Sequence, residues 1–371
     1  MRLMGKGRSR SASKKEREPM FGVGTVFMVI RWVCISDNLL EMRGNKYCMS
    51  TECSEDNLPL VTIITPTYNS NPQYLKEAIE SVLVQTYPKI EYIITDDGSK
   101  TFSNEFVEKT LLNNNHGNVS WRIIKNKHNI GTVRNVNGAI QESHGKYIFF
   151  LAHDDVFLDS ECISDGVNEF NKSGAHHIFF CSILINEVNN KKLREIPTPL
   201  QKRKLQRYSA QKLYLDLLVG GYIIGSSTAY SKDLFTEYGL FDEQYVLLED
   251  YPKQLELHNL GIKVHYCNRT LIRYRSGGVS IGTFNQILYN DNILLNDNLL
   301  RATNGINKMR LLFNRRLLNL RKYCVDAKID AKEYIHVIFE FSNLLVIFLI
   351  LFITSPTCGI GIIDRILYHR G

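Results

Sequence analysis

An α/β fold, a mainly parallel sheet flanked by helices, is what this 371-residue sequence predicts. Apolar runs of strand length alternate with apolar positions at helical spacing from Leu58 to Phe150. Those runs are almost continuously apolar, as in strands buried on both faces of a parallel sheet. Polar and acidic residues also gather at successive strand ends: Thr67 and Asn69, Asp96 and Asp97, Asp154 and Asp155. In open parallel sheets that edge is where ligands bind, so a nucleotide-binding half-domain is expected.

The elements follow in order. Val61–Thr65 reads as a strand, broken by Pro66-Thr67-Tyr68-Asn69-Ser70. Leu75, Ile79, Val82 and Leu83 then recur at helical spacing. Ile90–Ile94 is a second strand, ending in Asp96-Asp97-Gly98-Ser99, and a helix carrying Phe106, Val107, Leu111 and Leu112 leads to a third near Trp121–Ile124. Asn129–Asn135 opens the next helix, and Gly145–Phe150 is a strand running into Leu151-Ala152-His153-Asp154-Asp155. Two adjacent carboxylates there are costly without a cation or donors, although such a pair can also cap the helix that follows.

A second half runs from about Leu158 to Ser280. It offers a strand at His177–Leu184, a polar basic loop around Lys191–Lys204 and a helix around Leu213–Leu218. Gly220–Ser227 is glycine-rich but has neither GxGxxG nor Walker spacing, so it fits an acceptor-facing loop or a bend beside a strand. Glu249-Asp250 precedes Pro252, a pattern that also suits a helix N-terminus.

Hydrophobic content of 44% with 22% charged residues is that of a globular protein with a sizeable core. A net charge of +7 favours an anionic partner without choosing one. The eight cysteines show no CxxC pair or zinc-ligand spacing, which favours reduced thiols.

Six stretches stand in sequence: Val61–Asn69; Asp96-Asp97-Gly98-Ser99; Asn129, Gly131, Arg134 and Asn135; Leu151–Asp155; Glu249-Asp250; and Tyr274–Ser280. In that order they resemble the inverting family 2 glycosyltransferases of the GT-A fold, over roughly residues 58–282. The resemblance implies transfer of one sugar from a nucleotide-diphosphate donor to a lipid-linked or oligosaccharide acceptor. Surface-polysaccharide assembly, such as O-antigen, would be the setting. It implies Asp155, with Asp154, as holder of Mg²⁺ or Mn²⁺, because charge builds on the departing diphosphate and hard oxygen ligands suit those ions. It places Thr65, Pro66, Thr67, Asn69, Asp96, Asp97 and Asp154 at the nucleotide-sugar, with Arg134 pairing with phosphate or anchoring Asp97. Asp250 would take the acceptor hydroxyl's proton, with Glu249 as its neighbour and less favoured alternative.

The sequence departs from the family in one place: Leu151 and Ala152 precede His153, so the acid that often opens the metal motif is missing. This keeps open a catalytically inactive binding module. A sugar-phosphate nucleotidyltransferase is the other alternative, against which the loop after the first strand lacks the expected glycines. The Gln-x-x-Arg-Trp signature of processive synthases is absent, which favours single transfer.

Residues 1–57 read as an N-terminal extension, either poorly ordered or preceding a native start near Met49; residues 283–371 read as a helical, membrane-associating region. There Asn285–Cys324 carries leucines at helical spacing with seven basic residues, fitting either anionic headgroups or a solvated helix face. Few aromatics interleave with those bases, so nucleic acid is not expected. Phe341–Thr354 is almost wholly apolar but short for a span, and a monotopic helix on the cytoplasmic face of a bacterial inner membrane is the expectation.

Overall fold

The computed structural model describes residues 57–114, 117–278, 284–325 and 331–368, all within one compact unit. The expected extension before Asn57 lies outside the described residues, as do Val279 and Ser280 of the last motif.

The first half alternates as its apolar pattern requires: β1 (Val61–Thr67), α1 (Pro72–Leu83), β2 (Ile90–Asp96), α2 (Asn104–Asn114), β3 (Val119–Lys125), α3 (Thr132–Glu142) and β4 (Tyr147–Phe150). Pro72 opens α1, where a missing N–H costs nothing, and Asn71 caps it by accepting the Gln73 N–H at 2.9 Å. Its Leu75, Ala78, Ile79, Val82 and Leu83 all face the sheet core. β1 pairs in parallel with β2 on one side and β4 on the other, and β2 pairs with β3. The order β3-β2-β1-β4 therefore reverses direction at β1, which opens a crevice beyond the carboxyl ends of β1, β2 and β4.

The second half adds β5 (Val156–Phe157), α4 (Cys162–Ser173), β6 (His177–Ile185), β7 (Lys192–Ile196), α5 (Pro199–Arg207), α6 (Ala210–Leu217), β8 (Thr228–Ser231), α7 (Lys232–Tyr238), α8 (Asp250–Asn259) and β9 (His265–Arg275). β8 pairs antiparallel with β4 and β6, so the sheet is mixed rather than parallel throughout. The stretch 191–204 is not the loop its polarity suggested. It forms β7, paired antiparallel with β6, and then α5, which Thr198 and Gln201 close with a reciprocal capping box. That Thr-Pro-x-Gln signal stood in the sequence and was outweighed by the surrounding charge.

Four helices follow: α9 (Gln286–Ala302), α10 (Gly305–Val325), α11 (Ala331–Thr354) and α12 (Pro356–Tyr368). The basic stretch is thus two helices, and three of its arginines turn inward. Arg310 donates to the Leu215 carbonyl at 2.9 Å, Arg315 pairs with Asp297 at 2.7 Å and Arg316 with Glu340 at 2.7 Å. Arg310 ties α10 to the domain, and Arg315 and Arg316 tie it to α9 and α11. Ile347 and Leu351 of α11 pack on Phe313 of α10 and Ile362 of α12. Phe341, Leu345, Val346, Leu349 and Ile353 on the same helix stay exposed. No helix among the described residues is long and apolar enough to cross a membrane.

Candidate active site

The crevice at the β1 reversal is a cavity of about 470 Å³. Its wall brings together Pro66 and Thr67 from the end of β1, Asp97 after β2, His153 and Asp154 after β4, and Glu249 and Asp250 at the start of α8. Residues far apart in the chain therefore converge, because strand ends and the start of α8 meet at the same edge.

Asp97 is locked. Its Oδ1 accepts from the Ile130 N–H at 2.9 Å and Asn126 Nδ2 at 3.1 Å, and its Oδ2 accepts from the Gly131 N–H at 2.9 Å. Gly131 reaches this position with φ +93°, and a Cβ there would lie 2.7 Å from Val246 Cγ1. Asp97 thus ties the β2 loop to the start of α3. Arg134, for which phosphate, Asp97 or a structural ion pair were the candidate partners, meets Glu243 at 3.5 Å, both side chains at least half-exposed. It does not line the cavity.

Three other expected donor contacts also sit off the wall. Asp96 is fully buried, and its carboxylate accepts the Ser99 N–H and hydroxyl, closing the turn that aims Asp97. Thr65 is fully buried one strand step below Thr67 and accepts from the Tyr92 hydroxyl at 3.0 Å. Asn69 stitches loops, taking the Lys100 N–H on Oδ1 and giving its own N–H to Ser99 Oγ.

Asp155 lies just beneath the cavity floor, 1% exposed. Its Oδ1 accepts the Arg275 N–H at 3.0 Å, while Oδ2 is buried with no hydrogen-bond partner among the described residues. Burial, and then the charge of Asp154, push its carboxyl well above the usual range, against the Arg275 N–H and the nearby Ser226 hydroxyl. Arg275 is held in turn by the Asp154 carbonyl at 2.7 Å, by Glu77 and by the Tyr74 ring, 4.3 Å from its centroid.

No group of three or more His, Cys, Asp or Glu side chains among the described residues is arranged to hold an ion unaided. The two carboxylates still fit one: an orphaned buried oxygen on Asp155 and an adjacent acid on the cavity wall supply hard ligands. Magnesium commonly takes one or two carboxylates, substrate phosphates and water.

Asp250 opens α8 and accepts the Gly225 N–H on Oδ2 at 2.9 Å and the Tyr251 N–H on Oδ1 at 2.6 Å. Burial raises its pKa, opposed by those backbone donors. Glu249 is pushed up to about 8 by burial and then by the Asp250 charge. Of the two, Asp250 has the backbone donors that favour an anion, while Glu249, at about 8, keeps its proton near neutral pH. Asp250 also lines a second cavity of about 260 Å³, where it stands with Tyr222, Tyr274 and Leu288. Asn126, Ser226 and the capping of Asp250 by Gly225 were not foreseen; all depend on loop geometry that spacing does not encode.

Residues 62–239 match the family model described as glycosyl transferase family 2. An uncharacterized glycosyltransferase of Rickettsia prowazekii is 30% identical over 220 residues, covering 58% of this chain and 64% of that one. One from Haemophilus influenzae is 26% identical over 228 residues, covering 60% and 67%. The chain thus spans just under two thirds of the Rickettsia prowazekii relative's length. Among solved structures, residues 1–349 of S. aureus TarS superpose with a TM-score of 0.53 at 16% identity, covering 84% of this chain and 89% of that chain. The same protein in complex with UDP-GlcNAc gives 0.52 at 16% identity, covering 78% and 81%.

Proposed function

We propose that this chain, whose residues 62–239 match the family 2 glycosyltransferase model and whose fold is GT-A, transfers a single sugar from a nucleotide-diphosphate donor to a saccharide acceptor with inversion. The observation that carries this reading is the position of Asp250 on the shared wall of two cavities. A donor in the larger cavity and an acceptor in the smaller would meet at its carboxylate. The Asp250 anion accepts the proton of the attacking hydroxyl as the new glycosidic bond forms and the diphosphate departs from the opposite face. Glu249, protonated below about pH 8, keeps a second negative charge from opposing the donor.

Pro66, Thr67 and Asp154 bound the donor, and Asp97 positions the loop opposite them through the Ile130 and Gly131 amides. Charge building on the leaving diphosphate would be offset by a bound Mg²⁺ or Mn²⁺, held by Asp154 and Asp155. That TarS forms a complex with UDP-GlcNAc makes UDP the first base to try.

The exposed apolar face of α11 supports attachment to a membrane surface, where a lipid-linked acceptor in surface-polysaccharide assembly would be met. The test is calorimetric titration with UDP and GDP, with and without Mn²⁺, on the wild type and Asp155→Ala. Metal-enhanced binding of one nucleotide, lost in the variant, is expected. Failure of UDP, GDP, CMP and TDP to bind folded protein would favour an inactive module instead.

A further inference from the structure

The second cavity contains a cation that the reaction described above does not use. Glu195 also borders the second cavity, but Arg194, opposite Leu184 of β6 on β7, is less exposed than either Glu195 or Leu193. It lines the same cavity as Asp250. Its Nε is buried with no hydrogen-bond partner, and it forms no ion pair among the described residues. The nearest acid in sequence, Glu195, is taken by Lys192 at 2.7 Å and Lys202 at 3.5 Å. The side chain is half-buried, and the unmet donor on its buried Nε is costly to keep. Its planar fork matches the oxygens of a phosphate or carboxylate. Tyr222, Tyr274, Asn292 and Asn314 complete a polar and aromatic surround suited to a sugar bearing such a group.

We propose that Arg194 determines acceptor specificity by binding an anionic group, a phosphate or a carboxylate, carried by the acceptor in the second cavity. This inference rests on the transferase reading, because that reading makes the cavity the acceptor site. Arg194 acts on the substrate's charged group, and Asp250 on its hydroxyl.

The experiment first saturates the donor cavity with whichever nucleoside diphosphate binds. N-acetylglucosamine 1-phosphate, glucuronate and methyl glucoside are then titrated by calorimetry into the wild type, Arg194→Gln and Arg194→Lys. At least one charged probe should bind the wild type about tenfold or more tightly than methyl glucoside, as expected for a hydrogen-bonded charge pair. Arg194→Gln should erase that margin and Arg194→Lys should keep part of it, with methyl glucoside unchanged across all three. Preference for the phosphate probe would identify a phosphorylated acceptor, and preference for glucuronate an acidic sugar. The inference is overturned if the wild type binds no probe or shows no charge preference. It is also overturned if Arg194→Gln keeps the margin or weakens charged and neutral probes alike. Those results with nucleotide bound remove only the Arg194 assignment; absence of nucleotide binding removes the transferase reading and this inference with it.

Discussion

Gly225 donates its backbone N–H to Asp250 Oδ2 at 2.9 Å. That bond, with the Tyr251 N–H on the other oxygen, separates the roles of two adjacent acids. Asp250 has fixed donors for an anion, whereas Glu249, buried beside that anion, is pushed up to about 8 and keeps its proton. A pair of carboxyls in one place then presents one carboxyl with fixed backbone donors, the arrangement the proposed base requires.

Asp250→Asn keeps the side chain's shape and one of its two backbone donors but loses the base. Sugar transfer, or donor hydrolysis in place of transfer, should fall by about 10²–10⁴-fold. Glu249→Gln imitates the protonated acid and should cost less than about tenfold at pH 7. Steady-state rates for the two variants check the division of labour; a larger loss in Glu249→Gln would reverse it.

Asp97→Ala should act mainly on stability. It frees the Ile130 N–H, leaves the buried Gly131 N–H with only Asn129 Oδ1 at 3.1 Å, and removes one of the two acceptors of the Asn126 amide. Unfolding free energy in urea should drop by about 2–3 kcal/mol. Arg134→Ala, which removes only a half-exposed pair with Glu243, should change it by less than about 0.5 kcal/mol.

His177 and His258 form an edge-to-face pair in the core, 6.2 Å between rings. Burial depresses them to about 3 and about 4. Folded imidazoles therefore bind fewer protons than unfolded ones between those values and about 6.5, so stability rises with pH across that window and is lost as pH falls. At pH 5 each ring should cost about 2 kcal/mol relative to pH 7. Thermal denaturation of His177→Phe should show roughly half the wild-type loss over that interval.

Leu345 and Leu349 sit on the exposed face of α11, away from the Ile347 and Leu351 packing face. Leu345→Glu with Leu349→Glu should leave the thermal midpoint unchanged within about 2 °C. Co-sedimentation with vesicles containing anionic lipid should fall severalfold. Unaltered sedimentation would remove the membrane-surface reading of this face.

The first half of the fold was legible because strand and helix periods dominate its sequence: Val61–Thr67, Ile90–Asp96 and Tyr147–Phe150 are apolar runs bounded by breakers. Thr67, Asp97, Asp154, Glu249 and Asp250 converge as strand ends and a helix start do. Asp96 lies off the wall beside Asp97 because adjacent residues at a strand end face opposite sides, and Thr65 because it sits deeper in β1 than Thr67; a motif gives neither the side nor the depth. β7 was hidden by Lys192, Arg194 and Glu195, since an edge strand needs few apolar residues. That hidden strand carries the cation of the second cavity, a feature set by tertiary packing.

The most direct test of the central claim is the anomeric configuration of the sugar first released when the enzyme hydrolyses its nucleotide-sugar donor. UDP-, GDP-, CMP- and TDP-linked sugars would be followed by proton NMR before mutarotation, in the wild type and Asp250→Asn. The account predicts inverted product from one donor and its near-disappearance in the variant. Retained configuration, or hydrolysis indifferent to Asp250→Asn, would contradict it.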